Sequence, residues 1–161
     1  MNQEYEQLVN DSLFQDWHKI HPRAFLTHFF LQLGSDLKPK GSWEIGFLGQ
    51  NKITVFVVGQ QVEIKPEDEV FKKPHEQVEK LNLKKVKISF SEAANICWEG
   101  LPRNFPGAAL GDGFVILQNY KQQLIWNFTF IDKRLKFLNL KIDATTGTVN
   151  SHDTIDLVQK S

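Results

Sequence analysis

The chain has 161 residues, 41% of them hydrophobic, including 13 Phe and 4 Trp. That is enough apolar side chain for the core of one domain, or for two small units sharing a core. Nineteen Lys and Arg balance nineteen Asp and Glu, so no global field draws in nucleic acid or an anionic membrane. A single Cys excludes an internal disulfide framework and points to a reducing compartment.

The N-terminus, Met-Asn-Gln-Glu-Tyr-Glu-Gln, has no basic segment followed by an apolar one, as an export signal would. No run of about 18 apolar residues exists to span a bilayer. A cytoplasmic place without membrane insertion is the expectation. Residues 3–20 carry Tyr5, Leu8, Val9, Leu13, Phe14, Trp17 and Ile20, a stripe at helical spacing. Asn10-Asp11-Ser12 interrupts it, and Asp11 or Ser12 can cap a fresh turn. Residues 23–33 read as a second helix, apolar at Phe25, Leu26, Phe29, Phe30 and Leu33. Gly34 is its expected C-cap.

Residues 42–58 change period. Trp43, Ile45 and Phe47 alternate with polar or small residues, the sign of a half-buried strand. Gly49-Gln50-Asn51 is a turn, Ile53 to Val58 a β-branched return, and Val62 to Ile64 a further strand after Gly59-Gln60-Gln61. Residues 65–83 form a connector punctuated by Pro66 and Pro74, with a short helix expected over 74–81. Ser89 and Glu92 make an S-x-x-E box, so a helix begins near Phe90 and runs to about Gly100, where Pro102 and Pro106 stop it. Gly107 to Gly113 is a Gly/Ala-rich loop, Phe114 to Gln118 a strand, and 119–123 a turn.

The strongest pattern comes last. Leu124, Trp126, Phe128 and Phe130 alternate along one strand, Asp132-Lys133-Arg134 is a polar turn, and the next strand, Leu135 to Ile142, puts Leu138, Leu140 and Ile142 on one face. Asn139 and Lys141 point the other way. The pair reads as an antiparallel hairpin with one apolar face and one wetter face. Asp143-Ala-Thr-Thr-Gly147 then turns the chain. Asp143 is placed to accept backbone hydrogen bonds two residues on, and Gly147 to take the left-handed conformation that a Cβ disfavours. Both are expected to serve the turn and not a ligand.

These residues carry a resemblance. Trp126-x-Phe128-x-Phe130 followed by Ile142-Asp-Ala-Thr-Thr-Gly-Thr-Val149, with the helix opening Ile88-Ser-Phe-Ser-Glu-Ala93 upstream, is similar to a PepSY domain, a cystatin-like α+β unit. The resemblance covers about residues 86–151. Trp43, Ile45 and Phe47 match Trp126, Phe128 and Phe130 as an earlier, degenerate copy without the Asp-Ala-x-Thr-Gly turn. The fold expectation is therefore α+β, with helices packed on antiparallel β-sheets in two tandem PepSY/cystatin-like units. Residues 1–72 form the first, 73–85 a connector, 86–153 the second and 154–161 a tail. Many PepSY proteins are exported or membrane-anchored, and this chain departs from that habit.

Candidate chemistry is thin. His18 and His21 form H-x-x-H, with His28 seven residues on. One helix face could hold zinc this way, but Pro22 breaks the helix and no Cys or carboxylate stands at ligand spacing. Ordinary histidines are the better reading. Gly107 to Gly113 lacks the Lys-Ser/Thr of a phosphate loop. No G-x-S-x-G elbow is present. Cys97, between Ile96 and Trp98, reads as a buried structural thiol. The acidic run at 66–70 reads as a solvated loop. Lys84, Lys85 and Lys87, and Lys133, Arg134 and Lys136, lie beside aromatics as single-strand binders do; sheet edges that resist aggregation explain them better. No catalytic residue, metal ligand or cofactor is expected, and no nucleic-acid partner.

What the resemblance implies is a non-catalytic binding or regulatory module engaging a protein or peptide through a sheet face or edge. The alternative is a carrier of a small apolar ligand in a cavity between helix and sheet.

Overall fold

The computed structural model describes residues 1–66 and 78–156, together with the backbone of 68–69. The elements are α1 (Asn2–Val9), α2 (Ser12–Ile20), β1 (Phe25–Leu33), β2 (Trp43–Gly49), β3 (Lys52–Val58), β4 (Val62–Ile64), β5 (Asp68–Glu69), α3 (Phe90–Asn104), β6 (Leu110–Tyr120), β7 (Gln123–Asp132), β8 (Lys136–Asp143) and β9 (Val149–Asp156). The fold is α+β. One antiparallel sheet runs β4-β3-β2-β1-β6-β7-β8-β9, and β5 pairs with β3. Successive strands pair with their sequence neighbours on either side of the central β1–β6 ladder, where Phe29 faces Leu117 and Leu31 faces Val115.

Among the described residues, α1, α2 and α3 lie on one side of this sheet. Leu8, Phe14, Ala93 and Cys97 pack with Ile45, Phe56, Trp126, Phe128 and Leu140 in a single cluster. Burying each large apolar side chain there contributes roughly 1.5–3 kcal/mol, and the strands supply most of them. At its centre Trp43, Phe90 and Trp126 meet ring to ring, with centroids 5.5–6.4 Å apart. The buried Trp126 indole donates from Nε1 to the Ile88 carbonyl at 2.9 Å. A buried unsatisfied donor would cost about 1–3 kcal/mol.

Local signals explain the helix starts. The Asp11 carboxylate accepts from the Leu13 N–H at 2.9 Å and begins α2. The Ser89 hydroxyl accepts from the Glu92 N–H at 3.1 Å and begins α3. α3 runs past the expected stop at Gly100 and carries Pro102 in its last turn. A proline there forfeits only one late helical bond, and the chain leaves the helix two residues afterwards.

The clearest departure from expectation is residues 23–33, read as a helix and found as β1. A β-bulge at Thr27 is the reason: Leu26 pairs with Phe47 and His28 with Gly46, so Thr27 has no partner of its own. The extra residue puts Leu26 and Phe29 on the same side of the strand. Their spacing of three imitates a helix, while Phe29, Leu31 and Leu33 keep strand alternation. Three smaller differences follow. The Gly/Ala loop gives way to strand at Leu110, and β9 continues through Thr154–Asp156, which the sequence places in the tail. Leu135, expected in strand, sits at φ 61 in the β7–β8 turn. The short helix expected over 74–81 lies largely outside the described residues; Glu79, Lys80 and Leu81 run as irregular chain, pinned where the Leu81 N–H donates to the Leu26 carbonyl at 2.9 Å.

Candidate functional site

Because the helices cover one side of the sheet, alternation leaves the other side with no layer over it among the described residues. That open face carries His28, Phe30 and Gln32 from β1; Glu44, Gly46 and Leu48 from β2; Val55 and Val57 from β3; Phe114, Ile116, Gln118 and Tyr120 from β6; Asn127, Thr129 and Ile131 from β7; and Phe137, Asn139 and Lys141 from β8. Most are half-exposed; Tyr120 and Ile131 are 42% and 45% exposed. Phe30 and Phe114 stack across the central ladder with centroids 5.4 Å apart, and with Phe137 and Ile131 they line a cleft of about 230 Å³.

Two groups sharpen the face. The His28 ring lies flat over Gly46: a Cβ there would come within 2.1 Å of it. Its Nδ1 sits 2.9 Å from the Thr27 hydroxyl, and burial pulls its pKa down to about 4. Further along, Asn139 Nδ2 donates to Asn127 Oδ1 at 2.6 Å and Thr129 Oγ1 at 3.0 Å. Lys141 Nζ donates to Asn139 Oδ1 at 2.6 Å. The Lys141 and Lys121 ammoniums stand 5.5 and 5.3 Å from the centroid of the same Tyr120 ring.

The residues named from sequence fall elsewhere or into structural roles. His18 stacks on Phe14 at 5.5 Å. His21 closes α2, stacks on Trp17 at 4.7 Å and places Nδ1 3.0 Å from the Trp17 carbonyl. His28 is on β1. The structure divides the three between two elements and a loop. Among the described residues no three His, Cys, Asp or Glu side chains converge as a metal set. The Cys97 thiol is buried, and desolvation pushes its pKa up to about 12. Arg134 is engaged by Asp132 and Lys136 by Asp156.

The Asp143–Gly147 turn is built as its residue types require. Asp143 Oδ1 accepts from the Thr145 and Thr146 N–H groups at 2.7 and 2.9 Å, and Gly147 has φ 82. The same turn ties the second half together. The buried Ala144 carbonyl accepts from Lys87 and Ile88, and its N–H donates to Leu124. With the Trp126–Ile88 bond, helix entry, strand and turn are knotted at one place.

Sequence reasoning did not single out Asp132 as buried. Its carboxylate, fully covered, takes the backbone N–H and the guanidinium of Arg134. Those bonds hold its pKa down to about 2. It locks the β7–β8 turn. Nor did sequence assemble Tyr120 and Lys121 with Asn127, Asn139 and Lys141. The strand alternation that set Asn139 and Lys141 apart from the core was the available signal.

Further clefts open on the helix side among the described residues. One of about 810 Å³ is lined by Tyr5, Val9, Phe14, Leu26, Phe47 and Leu81. Two others, of about 500 and 620 Å³, share Trp98, which is 51% exposed. No helix among the described residues is long and apolar enough to cross a membrane.

No family model and no curated protein matches the chain. Among solved structures, the crystal structure of a protein named "putative lipoprotein (CD1622)" from Clostridium difficile 630 is similar, with a TM-score of 0.56 and 16% identity, over 93% of this chain and 91% of that one. At that identity the likeness is one of fold.

Proposed function

We propose that the protein is a non-catalytic binding module of the PepSY-like type, and that it engages a protein or peptide through the open face of its sheet. The observation that carries this is the uncovered face itself. Phe30, Phe114, Ile116, Ile131 and Phe137 form an apolar strip with no layer over it among the described residues. Contiguous apolar surface rimmed by polar groups marks interaction sites. The two-unit reading is supported by strand order, since a helical segment followed by a four-strand meander occurs on each side of the β1–β6 ladder. Trp43 and Trp126 standing together in one cluster support it too. The PepSY-like reading of 86–151 is supported by the bonds joining Ile88, Trp126 and Ala144.

The carrier reading has the 810 Å³ cleft in its favour, but that cleft opens to solvent, and buried ligands prefer enclosure. The compartment proposed is the cytoplasm, on cysteine usage. The neighbour's name, lipoprotein, argues for membrane attachment instead, and fractionation of source cells separates the two.

A photo-crosslinking side chain placed at Phe114, and in a second variant at Ser91 on α3, tests the face. The expected result is a discrete cross-linked partner from position 114, lost when Ile116→Lys is added, and none from position 91. Cross-links from position 91 alone would sink the proposal.

A further inference from the structure

The polar ladder on the open face has a direction, and hydrogen-bond chemistry fixes it. An ammonium only donates, so the Asn139 atom 2.6 Å from Lys141 Nζ is the oxygen. The Asn139 amide NH₂ must then face Asn127 and Thr129, and the Asn127 atom that meets it, at 2.6 Å, is again the oxygen. The Asn127 NH₂ is thereby turned away from the network. What the ladder leaves over is a set of donors: the Asn127 amide protons, the Thr129 hydroxyl proton and the remaining protons of Lys141. Lys121 adds a second ammonium against the same Tyr120 ring. Among the described residues neither lysine is in an ion pair.

The nearby carboxylates do not answer these donors. Glu79 stands beside the Lys121 turn and gives Oε2 to the Gln122 N–H at 3.2 Å; Asp143, two residues from Lys141, spends Oδ1 on the Thr145 and Thr146 N–H groups. Asp153 lies across β9 from Asn139, outside ion-pair reach of both ammoniums. Two cations at an exposed aromatic, with the unengaged Asn127 amide protons on the same face, are complementary to an acceptor-rich anion. Such an anion would gain charge-assisted bonds without displacing a native one.

We infer that Lys121 and Lys141 at the Tyr120 ring, with Asn127 joined to Lys141 through Asn139, form the specificity point of the open face, and that they take the carboxylates of an acidic peptide segment. This rests on the sheet-face reading above and names the chemistry of its partner. The lysines supply the charge, Asn127 the oriented donor, and the Phe30–Phe114 strip the adjoining apolar contact.

The test is an NMR titration of the full chain, following backbone amides and the Asn side-chain amides, with acetyl-hexaglutamate amide as probe. Inorganic phosphate and an acetyl-hexaserine amide serve as controls. The expected result is saturable shifts centred on the Asn127 side-chain amide and on residues 120–121 and 141, with no saturable effect of the serine peptide and a weaker effect of phosphate. Each lysine removed should weaken the glutamate peptide by about tenfold, the size of a charge-assisted bond. Lys141→Met and Lys121→Met read this, and Lys141→Arg should restore binding. Because Lys121 is exposed and Lys141 half-exposed, both variants should keep the wild-type dispersion of resonances. Shifts spread evenly over surface lysines, or binding that survives the double Lys→Met change, would overturn the inference. Tighter binding of phosphate would overturn the carboxylate assignment. Cross-linking from position 114 is independent of these lysines, so it still reports on the face if the titration fails.

Discussion

His28 shows how one side chain can couple the open face to stability. It fills the gap above Gly46 and titrates at about 4 in the fold, against about 6.5 unfolded. The unfolded chain therefore binds the proton first as pH falls, and the fold is penalised. The stability due to neutral His28 is whole above about pH 6.5 and is lost progressively down to about pH 4. Between pH 7 and pH 5 the loss should be about 1–2 kcal/mol. Asp132 acts in the same direction, but only as pH falls through the range from 3.8 to about 2, outside that window. Urea melts at pH 7 and pH 5 read the effect. His28→Phe, which fills the gap without titrating, should flatten the pH dependence. An unchanged slope in that variant would assign it to other groups.

Among the elements, the Asp143–Gly147 turn was legible from sequence and β1 was not, and the contrast is physical. The turn depends on local chemistry: a carboxylate accepting two nearby N–H groups and a glycine at positive φ. The β7–β8 hairpin was legible for a similar reason, since Trp126, Phe128 and Phe130 alternate without interruption. β1 hides its period behind the bulge at Thr27. Its strand identity comes from neighbours β2 and β6, the latter distant in the chain. The candidate site has the same division. The outward set of Asn139 and Lys141 follows from alternation, whereas the meeting of Lys141 with Tyr120 depends on side-chain reach across three strands. The turn also supports a prediction. A Cβ at Gly147 would meet Ile96 and Ile88 at 3.3–3.4 Å, close but tolerable, so backbone strain dominates. Gly147→Val should destabilise by about 1–2 kcal/mol, with the loss read in a thermal melt. An unaltered melting temperature would mean that the left-handed conformation is not required there.

At the scale of the whole molecule, the question is whether the halves can stand apart. Strand order is alike in the two halves, but the packing joins them in two places. One is the β1–β6 ladder, which makes the sheet continuous from β4 to β9. The other is the Trp43–Phe90–Trp126 cluster, in which one ring comes from the first half and two from the second. Cutting between the halves would expose Trp126 on its Trp43 side and free a whole edge of β6. Exposed strand edges invite aggregation, and the lost burial of one large aromatic alone is worth roughly 1.5–3 kcal/mol, a substantial part of the ~5–15 kcal/mol that holds a domain folded. The intact chain should therefore unfold in one step, with tryptophan fluorescence and far-UV circular dichroism tracing the same denaturant curve. A fragment spanning residues 79–161 should lack a cooperative transition of its own. A fragment that melts cooperatively and stays monomeric would show that the second half carries its own fold, and that the shared tryptophan cluster only docks two finished units.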